Sequence, residues 1–289
     1  MARKNQRYNP YLDPIFHRYY NRLSEIAMSR FEWCNLPKSC NERFLEQTLF
    51  KDGYALFFKD DELGDYLALQ CMISGQLNVY RIPKNRRAFA TNGYQLERDE
   101  TNSIIIYNNY VHTNDISAIR SFALELTELS RSSIINIKAQ KTPILLLCDE
   151  KQRAAIENLY ELYEGNAPVI YGDKSLGSEP IRPLSTGAPF VCDKLYELKV
   201  KIWNEALTYL GITNVAVEKK ERLISDEVER QNGGTLASRS SALKMREEAC
   251  KEINEMFGLN ISVKFREEPK VQSTELRKEN NSVERIAES

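Results

Sequence analysis

Histidine is nearly missing from this chain. His17 and His112 are the only two in 289 residues, with no HExxH pattern and no cysteine at ligand spacing, so zinc chemistry has little to build on. Cysteine pairs are lacking as well: the six thiols at 34, 40, 71, 148, 192 and 250 form no CxxC, which suits reduced, buried side chains rather than a disulfide framework. No apolar run approaches the ~20 residues that cross a bilayer, and the start of the chain lacks the apolar core of a signal peptide, so a product made and assembled in the cytoplasm is expected. Charge of one sign is also short. The formal net charge is -1, without the basic excess of a domain that grips nucleic acid tightly, so any contact with DNA should be local or weak. What the chain does have is 42% hydrophobic residues, enough for one large core or two modest ones, and no internal repeat.

Motifs that would carry catalysis fall short on inspection. Gly172-Asp173-Lys174-Ser175-Leu176-Gly177 has the glycine spacing of a phosphate loop, but Ser178 and Glu179 stand where a lysine and a hydroxyl residue are required. Asp149-Glu150-Lys151 resembles part of a nuclease signature, yet acids at a helix start are accounted for by capping and the helix dipole. Asp60, Asp61, Glu62 and Asp65 sit between two candidate strands, where a solvated turn is the plainer reading than a cation site. Trp33 and Trp203 lie in amphipathic surroundings without interleaved basic clusters and read as packing anchors rather than stacking platforms. No catalytic residue, metal site or cofactor is expected, and the chain does not read as an enzyme.

Periodicity organises the chain. Residues 1–13 form a polar arm with Arg3, Lys4 and Arg7. A helix is predicted over 14–30 with Asp13 as its cap, and a shorter one over 41–50. Strands are expected at 54–58, 66–73, 76–82 and 103–107, separated by Asp60-Asp61, Gly64 and Ser74-Gly75, as a small antiparallel sheet or partial barrel. Ile116, Ile119, Phe122, Ala123, Leu126 and Leu129 open the longest helical pattern, over 115–138. A module of strand 143–147, helix 150–163 and strand 168–171 follows, then a Gly/Ser/Pro-rich stretch to Pro189. The next helix, from about 190, stops at Gly211, because only glycine enters the left-handed cap without a Cβ penalty. Residues 213–238 are polar, hold Lys219, Lys220, Glu221 and Arg222 in a row, and read as mobile. A helix over 241–257 ended by Gly258, a strand over 260–265 and a charged tail from 267 complete the chain.

The block from Cys192 to Val228, in order and spacing, resembles the portal protein of phi29-like podoviruses, also called the upper collar or head-tail connector. Further blocks carry the likeness, among them Phe31-Glu32-Trp33-Cys34-Asn35-Leu36-Pro37, Ile106-Tyr107-Asn108-Asn109, Ala139-Gln140-Lys141-Thr142-Pro143 and Glu164-Gly165-Asn166-Ala167-Pro168, so it covers nearly the whole chain up to Arg266. The resemblance implies an α+β, mainly helical portal fold: stem helices, an α/β clip, a wing with a small SH3-like β-sheet, and a channel loop, with subunits forming a ring. On this chain it divides into an arm at 1–13, wing at 14–113, stem helix at 114–138, clip at 139–189, second stem helix at 190–211, channel loop at 212–238, wing or crown at 239–266 and a disordered tail at 267–289. It further implies that Lys194, Lys219, Lys220 and Arg222 face a DNA channel and that Arg3, Lys4 and Arg7 touch the packaging motor or its RNA. A second family channel lysine is Ser185 here, with Arg182 nearby but displaced. The implied partners are other copies, about twelve to a ring, double-stranded DNA, a packaging ATPase, a packaging RNA, capsid and scaffolding proteins and a lower collar or tail protein. No membrane is implied, and the expected place is the portal vertex of the virion. A head-tail adaptor ring without motor contacts is the alternative.

Overall fold

The computed structural model describes residues 9–140, 144–147, 169–172, 181–183, 188–213 and 225–266, which divide into two compact units. The first comprises Met1–Ala27 and Asn114–Ser240, the second Met28–Thr113 and Ser241–Ser289.

In the first unit a 3-10 turn over Pro10–Leu12 leads into α1, Pro14–Met28. Asp13 Oδ1 accepts from the Ile15 N–H at 2.9 Å, the cap expected from the sequence, while its Oδ2 binds Arg131. The helical pattern opened by Ile116 is α3, Ile116–Gln140, whose Ile119, Ala123, Leu126, Thr127 and Ser130 are buried on one face. Tyr19 on α1 hydrogen-bonds Ser130 at 2.9 Å. The helix expected next is α4, Cys192–Tyr209, packed on α3. Between them lies a three-stranded sheet in the order β8-β7-β9, formed by Ile144–Leu147 (β7), Val169–Gly172 (β8, parallel to β7) and Ile181–Pro183 (β9, antiparallel). The last strand falls within the Gly/Ser/Pro-rich stretch that runs to Pro189. The helix expected at 150–163, together with Asp149, Glu150 and Lys151, lies outside the described residues.

The second unit holds β1, Phe31–Cys34, paired antiparallel with β10, Ser262–Phe265, and α2, Glu42–Asp52, which is capped by the Asn41 side chain. A five-stranded antiparallel sheet follows in the order β5-β4-β3-β2-β6: β2 Tyr54–Lys59, β3 Tyr66–Leu77, β4 Pro83–Phe89, β5 Gln95–Asp99, β6 Ser103–Tyr107. Here the sequence reading needs correction. Ser74-Gly75 does not separate two strands. Gly75, at φ +88°, lies at a bulge between Ser74 and Leu77, and β3 runs on to Leu77. The true turn is at 78–82, inside the stretch expected to be a strand, and β1, β4 and β5 fall where no strand was expected.

The helix expected over 241–257 begins earlier, within the polar segment that runs to Ser238. From Ser225 it is helical, and α5 runs from Ser225 to Phe257, through Gly233 and Gly234, before Gly258 at φ +66° ends it. Adjacent glycines lower helix propensity by about 1 kcal/mol each relative to alanine, which hid the continuity.

Arg246 on α5 is the centre of the second unit's core and is fully buried, as is Glu46 on α2. Its Nε donates to Glu46 Oε1 at 3.0 Å and its Nη2 to Glu46 Oε2 at 2.9 Å; Nη1 donates to the carbonyls of Asn108 (2.9 Å) and Ala242 (3.0 Å), and Nη2 also to Asn108 Oδ1 (3.0 Å). All five donors are used, which is how a buried guanidinium avoids an uncompensated desolvation cost. The cation lies 4.0 Å from the centroid of Phe31, and Trp33 Nε1 donates to Glu46 Oε1 at 2.8 Å, so Trp33 is a packing anchor with a polar handle.

Burial pushes the thiols of Cys40, Cys71 and Cys250 up to about 12. At pH 8 a thiol with that pKa is a thiolate about one time in ten thousand, and the thiolate is the reacting form. In a Cys148→Ser background, Cys34 and Cys192, both only half-buried, are expected to take up an aromatic disulfide reagent first. The three buried thiols should wait for denaturant, and rapid labelling of all five in the native protein would contradict this packing.

Candidate functional site

The candidate site is built on the α3–α4 hairpin of the first unit, whose helices are fastened at both ends. At one end Asn136 Nδ2 donates to the Pro189 carbonyl (2.8 Å), its Oδ1 accepts from the Val191 N–H (3.1 Å), and Gln140 Nε2 donates to the Ala188 carbonyl (3.0 Å). At the other, Tyr209 OH donates to Asp115 Oδ1 at 3.1 Å, and the Phe122 and Tyr209 rings are 5.9 Å apart. The helices are therefore antiparallel. None of these fastenings was legible, since each joins residues 48 or more positions apart and a lone Asn or Gln near a helix end has many ordinary uses.

Lys194 is in the first turn of α4 and exposed, and Lys201, also exposed, follows seven residues later on the same stripe of the helix. At 1.5 Å per residue the two are about 10 Å apart along the axis. Lys199 is half-buried with its ammonium 5.6 Å from the Tyr196 ring centroid. With Asp193, Glu197 and Glu205, the helix carries three lysines and three acids, so it offers cations without a net field.

Past Ser130 no residue of α3 is fully buried. Ile134, Ile135 and Ile137 are exposed, as are Tyr196 and Leu198 on α4. Lys219, Lys220 and Arg222, and likewise Arg3, Lys4 and Arg7, lie outside the described residues, so Lys194 alone of the sequence-derived site residues has a described position.

Gly211 follows α4 at φ +73°, as its sequence position suggested, but the conformation is only half of its role. A Cβ there would stand 2.7 Å from the Cα and N of Arg239 on α5. Arg239 Nε donates to the Gly211 carbonyl at 2.8 Å and its Nη2 to Thr213 Oγ1 at 3.1 Å. The approach of two backbones, invisible in the sequence, fixes where the chain leaves α4.

The remaining polar candidates are accounted for locally. Asp60 Oδ1 accepts from the amides of Glu62 (2.9 Å) and Leu63 (3.0 Å), and its other oxygen accepts from Tyr94 OH, so its carboxyl is held below the usual range by the Tyr94 hydroxyl and these amides. His112 is exposed and stacked on Tyr107 at 3.6 Å; His17 is exposed on α1.

Comparison with known proteins gives this geometry its setting. The family model described as Phage Connector (GP10) matches residues 2–270. Among solved structures, a chain from the portal and tail of native bacteriophage P68 superposes with a TM-score of 0.50 at 18% identity, covering 93% of this chain and 92% of that one. A chain from the virion of a native gene transfer agent particle gives 0.46 at 12% identity, with 95% and 86% covered. An HK97 family phage portal protein from Corynebacterium diphtheriae gives 0.43 at 12%, with 91% and 96% covered. The adaptor reading is not favoured, since the family model that matches nearly the whole chain is that of the connector. The chain belongs to the phage connector family and is a portal, or head-tail connector, protein with the portal fold.

Proposed function

We propose that about twelve copies assemble into a ring at the vertex between capsid and tail, and that double-stranded DNA passes through its axial channel during packaging and ejection. The observation that carries this reading is the connector match across residues 2–270. In it the α3–α4 hairpin serves as stem, the β7–β9 module as clip, and the second unit as wing. Exposed Ile134, Ile135 and Ile137 on a helix otherwise packed on one face support contacts between neighbouring stems. Lys194 faces the channel, and Lys219, Lys220 and Arg222 form a basic segment at its wall. Arg3, Lys4 and Arg7 meet the packaging ATPase or its RNA. Capsid and scaffolding proteins and the lower collar complete the partners, with assembly in the host cytoplasm. No covalent step is involved.

Near-neutral stems suit such a channel. An exposed ion pair is worth about 0.2–1 kcal/mol, so a phosphate passing Lys194 meets a shallow well and leaves it again. A strongly basic wall would hold the duplex, since every neutralised phosphate adds about 0.9 to the salt slope of binding.

Two measurements test the reading. Imaging of the purified protein should show end-on rings with a central hole, and material that stays monomeric at high concentration would overturn it. Replacing Lys219, Lys220 and Arg222 with serine should leave rings and filling intact while packaged DNA is lost from the heads; full retention would remove the basic segment from the mechanism.

A further inference from the structure

The β3–β4 hairpin ends in a turn whose backbone is held and whose apolar side chains face solvent. Asn78 Oδ1 accepts from the amides of Tyr80 and Ile82, both at 2.9 Å, Asn78 N donates to the Ile82 carbonyl at 2.9 Å, and Arg81 N donates to the Asn78 carbonyl at 2.9 Å. At its base Arg86, buried, donates to the Pro83 carbonyl at 3.2 Å and bonds Ser103 at the start of β6. Yet Val79 is 90% exposed and Tyr80 82%, with Leu77 exposed beside them. Single exposed apolar residues are ordinary; a rigid tip presenting three together is the mark of a contact.

Charge singles out the same tip. Residues 66–96 contain Arg81, Lys84, Arg86 and Arg87 and no acid, in a chain of net charge -1. Arg87 is engaged by Glu97 at 2.7 Å, while Arg81 and Lys84 are exposed nearer the turn. The complement is an apolar side chain rimmed by carboxylates. This chain carries one at the other end of β3, where Leu63 is 62% exposed between Glu62 and Asp65, both exposed, on the turn that Asp60 caps. Asp61 beside them is already engaged by Arg98 at 3.2 Å.

The two ends cannot meet within one molecule. The strand's twelve residues, eleven steps of ~3.3 Å, set them up to about 36 Å apart. A contact between two different patches of identical subunits is heterologous and propagates from copy to copy, which closes when the rotation does. We propose that the Val79-Tyr80 tip of one copy seats on the Leu63 turn of the next, with Arg81 and Lys84 facing Glu62 and Asp65. This rests on the ring reading above and names a surface by which neighbours hold one another.

The test uses the full-length chain in two charge-reversed forms, Arg81→Glu with Lys84→Glu and Glu62→Lys with Asp65→Lys. All four positions are exposed, so circular dichroism melts should match the wild type. By light scattering, each form alone is expected to need at least tenfold more protein for half-assembly than the wild type, and an equimolar mixture should assemble again as co-assembled rings. If both forms assemble alone like the wild type, the proposal is overturned while the ring reading stands. Loss of head incorporation or of binding to another partner with ring assembly unchanged overturns it too, and assigns the tip to that partner. Wild-type protein that never forms rings overturns both.

Discussion

Arg246→Ala is expected to destabilise the second unit by about 3–5 kcal/mol, the range seen when one partner of a buried ion pair is removed. The loss exceeds that of packing because Glu46, the carbonyls of Asn108 and Ala242 and the Asn108 amide all lose a donor in a site closed to water. The replacement also takes the cation from the face of Phe31. Chemical denaturation followed by tryptophan fluorescence reads the change directly, since Trp33 donates to the same Glu46 oxygen. A shift below about 1 kcal/mol would contradict the geometry. The paired replacement Arg246→Met with Glu46→Leu should recover much of the loss, because it leaves no charge buried alone, while Trp33 Nε1 remains without its acceptor and holds back about 1–3 kcal/mol.

The second large effect is expected at Gly211, where two independent penalties coincide. Alanine at φ +73° costs roughly 1–2 kcal/mol by itself, and its Cβ would press on the backbone of Arg239, which cannot swing aside as a side-chain end could. Overpacking of this kind adds about 1–3 kcal/mol. Gly258 is the internal control: at φ +66° it has the same conformational need, but nothing lies within 4 Å of a built Cβ. Gly211→Ala should therefore lower the melting temperature clearly more than Gly258→Ala. Equal shifts would mean that the close approach to Arg239 does not matter.

Much of this architecture was readable because it rests on local chemistry. Asp13 and Asn41 cap their helices with side-chain oxygens, Gly211 and Gly258 take the left-handed turn, and the buried faces of α1 and α3 follow the helical period. Where reading failed, a local signal had a second meaning. Gly75 was taken as the end of a strand, but one glycine serves a turn and a bulge equally well, and only the pairing of Ser74 with Asn85 and Leu77 with Pro83 decides between them. Arg246 left a cue that was passed over: it stands on the stripe of Ala242, Ala249, Cys250 and Ile253, a charge on an apolar face that requires a buried counterpart. That the counterpart is Glu46, two hundred residues earlier, no spacing could tell. Lys194 became a candidate through family likeness alone, because an exposed lysine in a first helical turn has no distinguishing chemistry of its own.

The bonds that join Asn136 and Gln140 to the residues around Pro189 act as a clasp on the chain. Whatever is spliced between residues 140 and 188 begins and ends at one shared spot, so it neither sets the separation of the two rods nor transmits its own length to them. Lineages could exchange or reshape that insert to suit a different neighbour, and the wall behind it would keep its alignment.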